Sequence, residues 1–133
     1  MRAEGVGNQR IVIHPDGSIE IPKVFENKRK GIEKDLNIGF DNFERAIQFA
    51  GKGWARGHLE NNVKMFKVRE KFLDYLKRTE ILESDVANTP GGHLLPQIVD
   101  LPHGNQYRLK SPQIEMLRNA IIQGTGINKT IIR

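Results

Sequence analysis

Two histidines, His93 and His103, bracket the segment from Pro96 to Pro102, and Tyr107, Arg108 and Lys110 follow closely. Folded back on itself, the segment brings an acid, a base and a cation into one cleft. His93, His103, Tyr107 and Arg108 are then the candidate catalytic set for metal-independent RNA cleavage, in which a developing phosphorane is stabilised by positive charge. Lys110 is a candidate contact for substrate phosphate. The competing reading is that two loop histidines are unrelated to each other.

Other candidates are scattered along the chain. His14 stands next to Pro15 at the end of an apolar run, where an imidazole of ordinary pKa near ~6.5 serves either as a base or as an exposed turn residue. Trp54, Arg56 and His58 form a basic, aromatic cluster near Lys52 suited to stacking a base and touching its phosphate. A surface loop anchored by Trp54 would look the same. Thr125 between Gly124 and Gly126 could hold an anion on backbone N–H groups, although a helix stop also accounts for Gly-Thr-Gly. Metal ligands are poorly supported: the aspartates are scattered, with no paired-acid spacing and no His-x-x-x-His on a helix.

Composition bounds the class. At 133 residues the chain matches one typical domain with one core, and 38% apolar residues make that core small. Lys plus Arg total 21 against 16 acids, for a net charge of +5. This balance favours a polyanionic partner, nucleic acid before acidic protein. There is no cysteine, which excludes disulfides, thiolate nucleophiles and thiolate zinc sites. No apolar run is long enough to span a membrane, and no secretion signal is evident. If the protein is exported, other sequence must carry it.

The elements that must position these residues read as follows. Residues 10–22 are two β-branched runs around Pro15-Asp16-Gly17, a hairpin in which Pro fixes φ and Gly supplies a positive φ. Residues 23–35, rich in Lys, Arg and Glu, read as a solvated connector. Residues 36–40 alternate as a strand, and Asp41 with Glu44 caps a helix over about 42–52. Residues 54–62 read as loop or frayed helix, with Glu60-Asn61-Asn62 a polar turn, and 63–68 as a strand with Val63 and Met65 inward. A helix over about 69–79 carries Phe72, Leu73, Tyr75 and Leu76 at helical spacing. The long segment from Gly91 reads as an ordered functional loop. Ser111 as N-cap and Pro112 at N1 start a helix over about 112–122 with Ile114, Leu117 and Ile121 inward, and 127–132 adds a strand. The expected fold is α+β, a small twisted, mostly antiparallel sheet with about three flanking helices in a single domain, preceded by a flexible leader over residues 1–9.

The segments Leu36–Phe40 with Glu44, Ala46 and Phe49-Ala50, then Phe66-Lys67-Val68 with Phe72-Leu73, then Pro96–Asp100, Asn105–Leu109 and Ile122–Gly126 resemble the C-terminal toxin modules of bacterial polymorphic toxins. Those modules end Rhs-type and contact-dependent growth-inhibition proteins. The resemblance implies delivery within a larger secreted protein, action in the cytoplasm of the target cell, and an acidic cognate immunity protein that plugs the site. It also implies a nuclease, here a ribonuclease acting on tRNA or rRNA with no cofactor, because the RNA 2′-hydroxyl supplies the nucleophile. A minority of such modules resemble ADP-ribosyltransferases; Asn37–Phe40 would then be the strand preceding the helix that shapes a nicotinamide pocket, but no Glu-x-Glu pair stands near the final strand. A non-enzymatic basic binding module is the third reading. Gln106, Tyr107 and Arg108 lie inside a resembling segment, whereas the four histidines only neighbour such segments.

Overall fold

Pro15-Asp16-Gly17 turns the chain as its residue types demand. In the computed structural model, which describes residues 2–5, 10–40, 60–99 and 106–132, Gly17 takes a φ of +84°. Strands β2 (Val12–Ile13) and β3 (Ile19–Glu20) pair antiparallel across this turn, Ile13 opposite Ile19. The Ser18 hydroxyl and N–H both donate to Asp16, at 2.6 and 2.9 Å. Those bonds, the hydroxyl's first, hold the Asp16 carboxyl below the usual carboxylate pKa.

The chain divides into two compact units, one built from Met1–Pro22, Gly39–Lys67 and Ile122–Arg133, the other from Lys23–Ile38 and Val68–Ile121. Neither is continuous in sequence, so no linker composition marks the division. In the first unit β7 (Glu60–Met65) is flanked by β1 (Arg2–Gly5) and β11 (Ile127–Ile132), both antiparallel to it. The final strand lies where the sequence reading places it, over residues 127–132. Two expectations fail here. Residues 2–5 pair with β7 instead of forming a flexible leader, and Glu60-Asn61-Asn62 begins a strand instead of making a turn. Asn is a poor strand former, but a backbone bonded on both sides overrides that weak preference.

Ile11, Ile19, Ile21 and Val63 are buried in this unit. Lys64 is buried with them, only 1% exposed, and its Nζ donates to the Ile11 carbonyl at 2.8 Å. Strict alternation with Val63 and Met65 inward would have sent Lys64 to solvent. The Gln123 amide takes the place of a neighbouring strand for Ile19, accepting its N–H at 2.8 Å and donating to its carbonyl at 3.0 Å. Gly126 donates its N–H to the Gly17 carbonyl at 2.8 Å, tying the segment before β11 to the hairpin turn.

The second unit holds a four-stranded sheet in the order β6 (Leu36–Gly39), β10 (Gln106–Leu109), β9 (Gln97–Ile98), β8 (Ile81–Leu82). β9 and β10 run antiparallel and β8 and β9 parallel. The segment read as one long loop therefore supplies two adjacent strands of a sheet, preceded by 3₁₀-helical turns at Glu83–Asn88 and Gly92–Leu94. Strands of two residues are too short to show a period, which is why Gln97-Ile98 reads as loop.

Helix α1 (Glu70–Thr79) buries Phe72 and Leu76, four residues apart, and places Glu70 in its first turn and Lys77 and Arg78 in its last, complementing its dipole. Helix α2 (Ser111–Ala120) buries Gln113, Ile114, Leu117 and Ala120. It starts one residue earlier than Ser111 as N-cap would give. The cap position is Lys110, whose N–H donates to Gln113 Oε1 at 2.8 Å, the reach-back half of a capping box. Arg69 donates its N–H to the Ala120 carbonyl at 2.8 Å, joining the start of α1 to the end of α2.

Residues 23–35 are not a plain connector. β4 (Phe25–Asn27) and β5 (Ile32–Glu33) form a second hairpin whose turn is Lys28-Arg29-Lys30-Gly31, with Gly31 at φ +65°. Arg118 of α2 binds Glu33 with both terminal nitrogens, at 2.6 and 2.7 Å, and this largely buried fork holds β5 against the helix. The protein is thus α+β, as its mixed pattern indicates. The helix read over 42–52 lies outside the described residues.

Candidate functional site

β10 puts neighbouring residues on opposite faces of its sheet. Tyr107 and Leu109 go to the buried face; Gln106 and Arg108 go to the other. Tyr107 is 2% exposed and its hydroxyl donates to Glu80 Oε2 at 2.5 Å. Burial first, then the hydrogen bond and charge of Glu80, push the phenol pKa well above its ordinary value. The hydroxyl stays protonated at neutral pH and acts as a fixed donor, not as a base.

The opposite face is polar. Arg108 Nη1 donates to Glu83 Oε1 at 2.7 Å and to Gln97 Oε1 at 3.3 Å. Gln97 is its direct partner across the β9–β10 ladder, so register places the amide there, and Glu83 arrives from the 3₁₀ turn that follows β8. Gln97 and Gln106 are both buried, and Gln106 Nε2 meets no acceptor among the described residues. A buried donor left without an acceptor costs about 1–3 kcal/mol. Arg108 keeps 31% of its side chain exposed, which leaves guanidinium N–H groups facing outward. A carboxylate, a guanidinium and two amides thus share one sheet face.

Four of the other predicted residues, His93, Lys110, His14 and Thr125, fall among the described residues. His93 is exposed in the Gly92–Leu94 turn and makes no hydrogen bond or ion pair among the described residues. Lys110 Nζ is paired with Asp35 at 2.7 Å. His14 Nε2 lies 3.4 Å from Glu20 within the first hairpin. Thr125 Oγ1 accepts the Lys67 N–H at 2.9 Å and donates to the Ile122 carbonyl at 2.7 Å, so its hydroxyl closes the turn before β11. His103, Trp54, Arg56 and His58 lie outside the described residues.

Glu83 and Gln97 are the members that sequence reasoning missed. The alternation Gln106-Tyr107-Arg108-Leu109 carries the signal for half of the site, since it places Gln106 and Arg108 together. Nothing local announces Glu83, 25 residues before Arg108. Among the described residues no three His, Asp or Glu side chains are grouped to hold a metal ion, and no helix is long and apolar enough to cross a membrane. No protein-family model matches the sequence, and no curated protein and no solved structure matches it either.

Proposed function

We propose that the chain is a cytotoxic effector domain of the polymorphic-toxin kind that cleaves tRNA or rRNA, with its site on the polar face of β9–β10. The observation that carries this reading is the placement of Arg108 between Glu83 and Gln97, half-open to solvent beside the unsatisfied amide of Gln106. A substrate phosphate is a better bidentate partner for the guanidinium than an exposed carboxylate is. As phosphate takes over Arg108, the Glu83 carboxylate is released from its ion pair and its oxygens are free to accept a proton. Glu83 then removes the 2′-hydroxyl proton, the 2′-oxygen attacks phosphorus, and Arg108 stabilises the phosphorane's negative charge. The 5′-oxygen leaves with a proton from an acid, for which His93 and His103 are the candidates. The products are a 2′,3′-cyclic phosphate and a 5′-hydroxyl. A basic enzyme of this kind would be carried by a larger secreted protein, act in the cytoplasm of the target cell and be neutralised by an acidic immunity protein.

The test is incubation of the purified chain with total tRNA and rRNA, with and without EDTA, read on a denaturing gel with end-group analysis. Cleavage that survives chelation and leaves cyclic phosphate ends is expected. Arg108→Ala should slow it by about 10²–10³-fold, the usual cost of losing one preorganised charge-stabilising donor. An intact RNA population, or cleavage undiminished in Arg108→Ala, would overturn the reading; in the first case a basic binding module remains.

A further inference from the structure

The β4–β5 hairpin carries positive charge that the rest of its unit does not cancel. Lys23, Lys28, Arg29 and Lys30 are all exposed and make no ion pair with any described residue. The acids around them are already engaged: Glu33 and Glu115 by Arg118, and Asp35 by Lys110. Only Glu26 on the hairpin stands exposed against them. The hairpin also borders a groove of about 520 Å³. Phe25, Ile32, Leu94 and Pro112 give it apolar walls, Lys23 and Lys30 supply cations, and Glu33 and Glu115, both paired with Arg118, line it as well. The groove is open along the hairpin, and its volume leaves room for one unit of a polymer. Cations on a rim beside a half-buried aromatic ring match the needs of a single nucleic-acid strand, whose phosphates repeat and whose bases offer a flat apolar face. An acidic protein surface would use the cations but leave the apolar groove empty.

We propose that this hairpin and groove form the strand-binding track for single-stranded RNA, with Lys23, Lys28, Arg29 and Lys30 on phosphates and Phe25 against a base. The inference rests on the ribonuclease reading and extends it, since hairpin and Arg108 belong to the same unit. The experiment is fluorescence anisotropy of a labelled, 2′-O-methylated single-stranded RNA, which binds but cannot be cleaved, titrated with the full chain over a range of salt concentrations. Replacing Lys28, Arg29 and Lys30 together by Ala should lower the slope of log K against log salt by about 2, from about 0.7 per lost phosphate contact on a single strand. Phe25→Ala should weaken binding between about 5-fold and 150-fold. Phe25→Leu, which keeps most of the packing, should still weaken it measurably while circular dichroism shows the fold intact. If wild type binds and cleaves RNA but the triple variant keeps its affinity and salt slope, the track is overturned and the ribonuclease reading stands. If wild type leaves unmodified RNA uncut yet binds the probe through these residues, the ribonuclease reading fails and the track stands. Polyglutamate binding as tightly as the RNA, with no dependence on Phe25, would make the hairpin a docking surface for acidic protein and overturn the track.

Discussion

Gly17→Ala tests whether the first hairpin is held by its turn alone or by what the turn touches. Gly17 and Gly124 have nearly the same φ, +84° and +87°, and belong to the same unit. A Cβ at either position carries the left-handed penalty of about 1–2 kcal/mol. At Gly124 it would meet nothing within 4 Å, whereas at Gly17 it would lie 2.5 Å from the Gly124 carbonyl oxygen. A backbone atom cannot rotate away, so the two segments must separate. Overpacking of this kind costs about 1–3 kcal/mol, and strain on the Gly126 N–H to Gly17 carbonyl bond adds up to about 1 kcal/mol. Gly17→Ala should therefore cost about 2–6 kcal/mol and Gly124→Ala about 1–2. The gain from a less flexible unfolded chain is common to both and cancels in the comparison. In urea unfolding, a difference of about 2 kcal/mol separates the two midpoints by roughly 1 M at an m-value near 2 kcal/mol/M. Midpoints that coincide would show that the close approach of the two segments carries no energy.

Three further outcomes follow from groups that are buried with their partners. The Tyr107 pKa is raised above the ordinary 10.0, chiefly by burial and then by Glu80, so the folded state holds the phenolic proton more tightly than the unfolded chain. Stability from this group is full below pH 10 and falls as pH rises beyond it; in a Tyr75→Phe background, absorbance at 295 nm should show Tyr107 ionising above that pH, together with unfolding. Arg118→Met leaves the Glu33 carboxylate buried without its fork and should destabilise by about 3 kcal/mol, while adding Glu33→Gln should recover part of that in thermal unfolding. Lys64→Ala removes a fully enclosed side chain and its bond to the Ile11 carbonyl, and should cost about 2–4 kcal/mol in denaturant unfolding; a loss under 0.5 kcal/mol, the scatter of ordinary surface substitutions, would contradict its burial.

What the sequence makes legible here is what depends on neighbours along the chain. Pro15-Asp16-Gly17 announces its hairpin, the spacing of Phe72 and Leu76 announces α1, and the glycines that stop α2 set off the β-branched residues of the last strand. The β4–β5 hairpin stays hidden because its strands are two and three residues long, and because Glu33 is settled by Arg118, 85 positions away. Lys64 misleads for a related reason: lysine is almost never fully buried, so its type points outward where the fold encloses it. The candidate site shows the same division within a single strand. Tyr107 and Arg108 look like partners because they are adjacent, but adjacency in a strand means opposite faces. Partners on one face lie two residues apart or across the ladder, so the companions of Arg108 are Gln106 and Gln97, and Tyr107 belongs with Glu80. A reading that pools neighbouring polar residues into one cleft therefore mixes a structural tyrosine with a solvent-facing arginine. Once residues 106–109 are taken as a strand, the period of two alone separates them, and Arg108 falls on the face that meets Glu83.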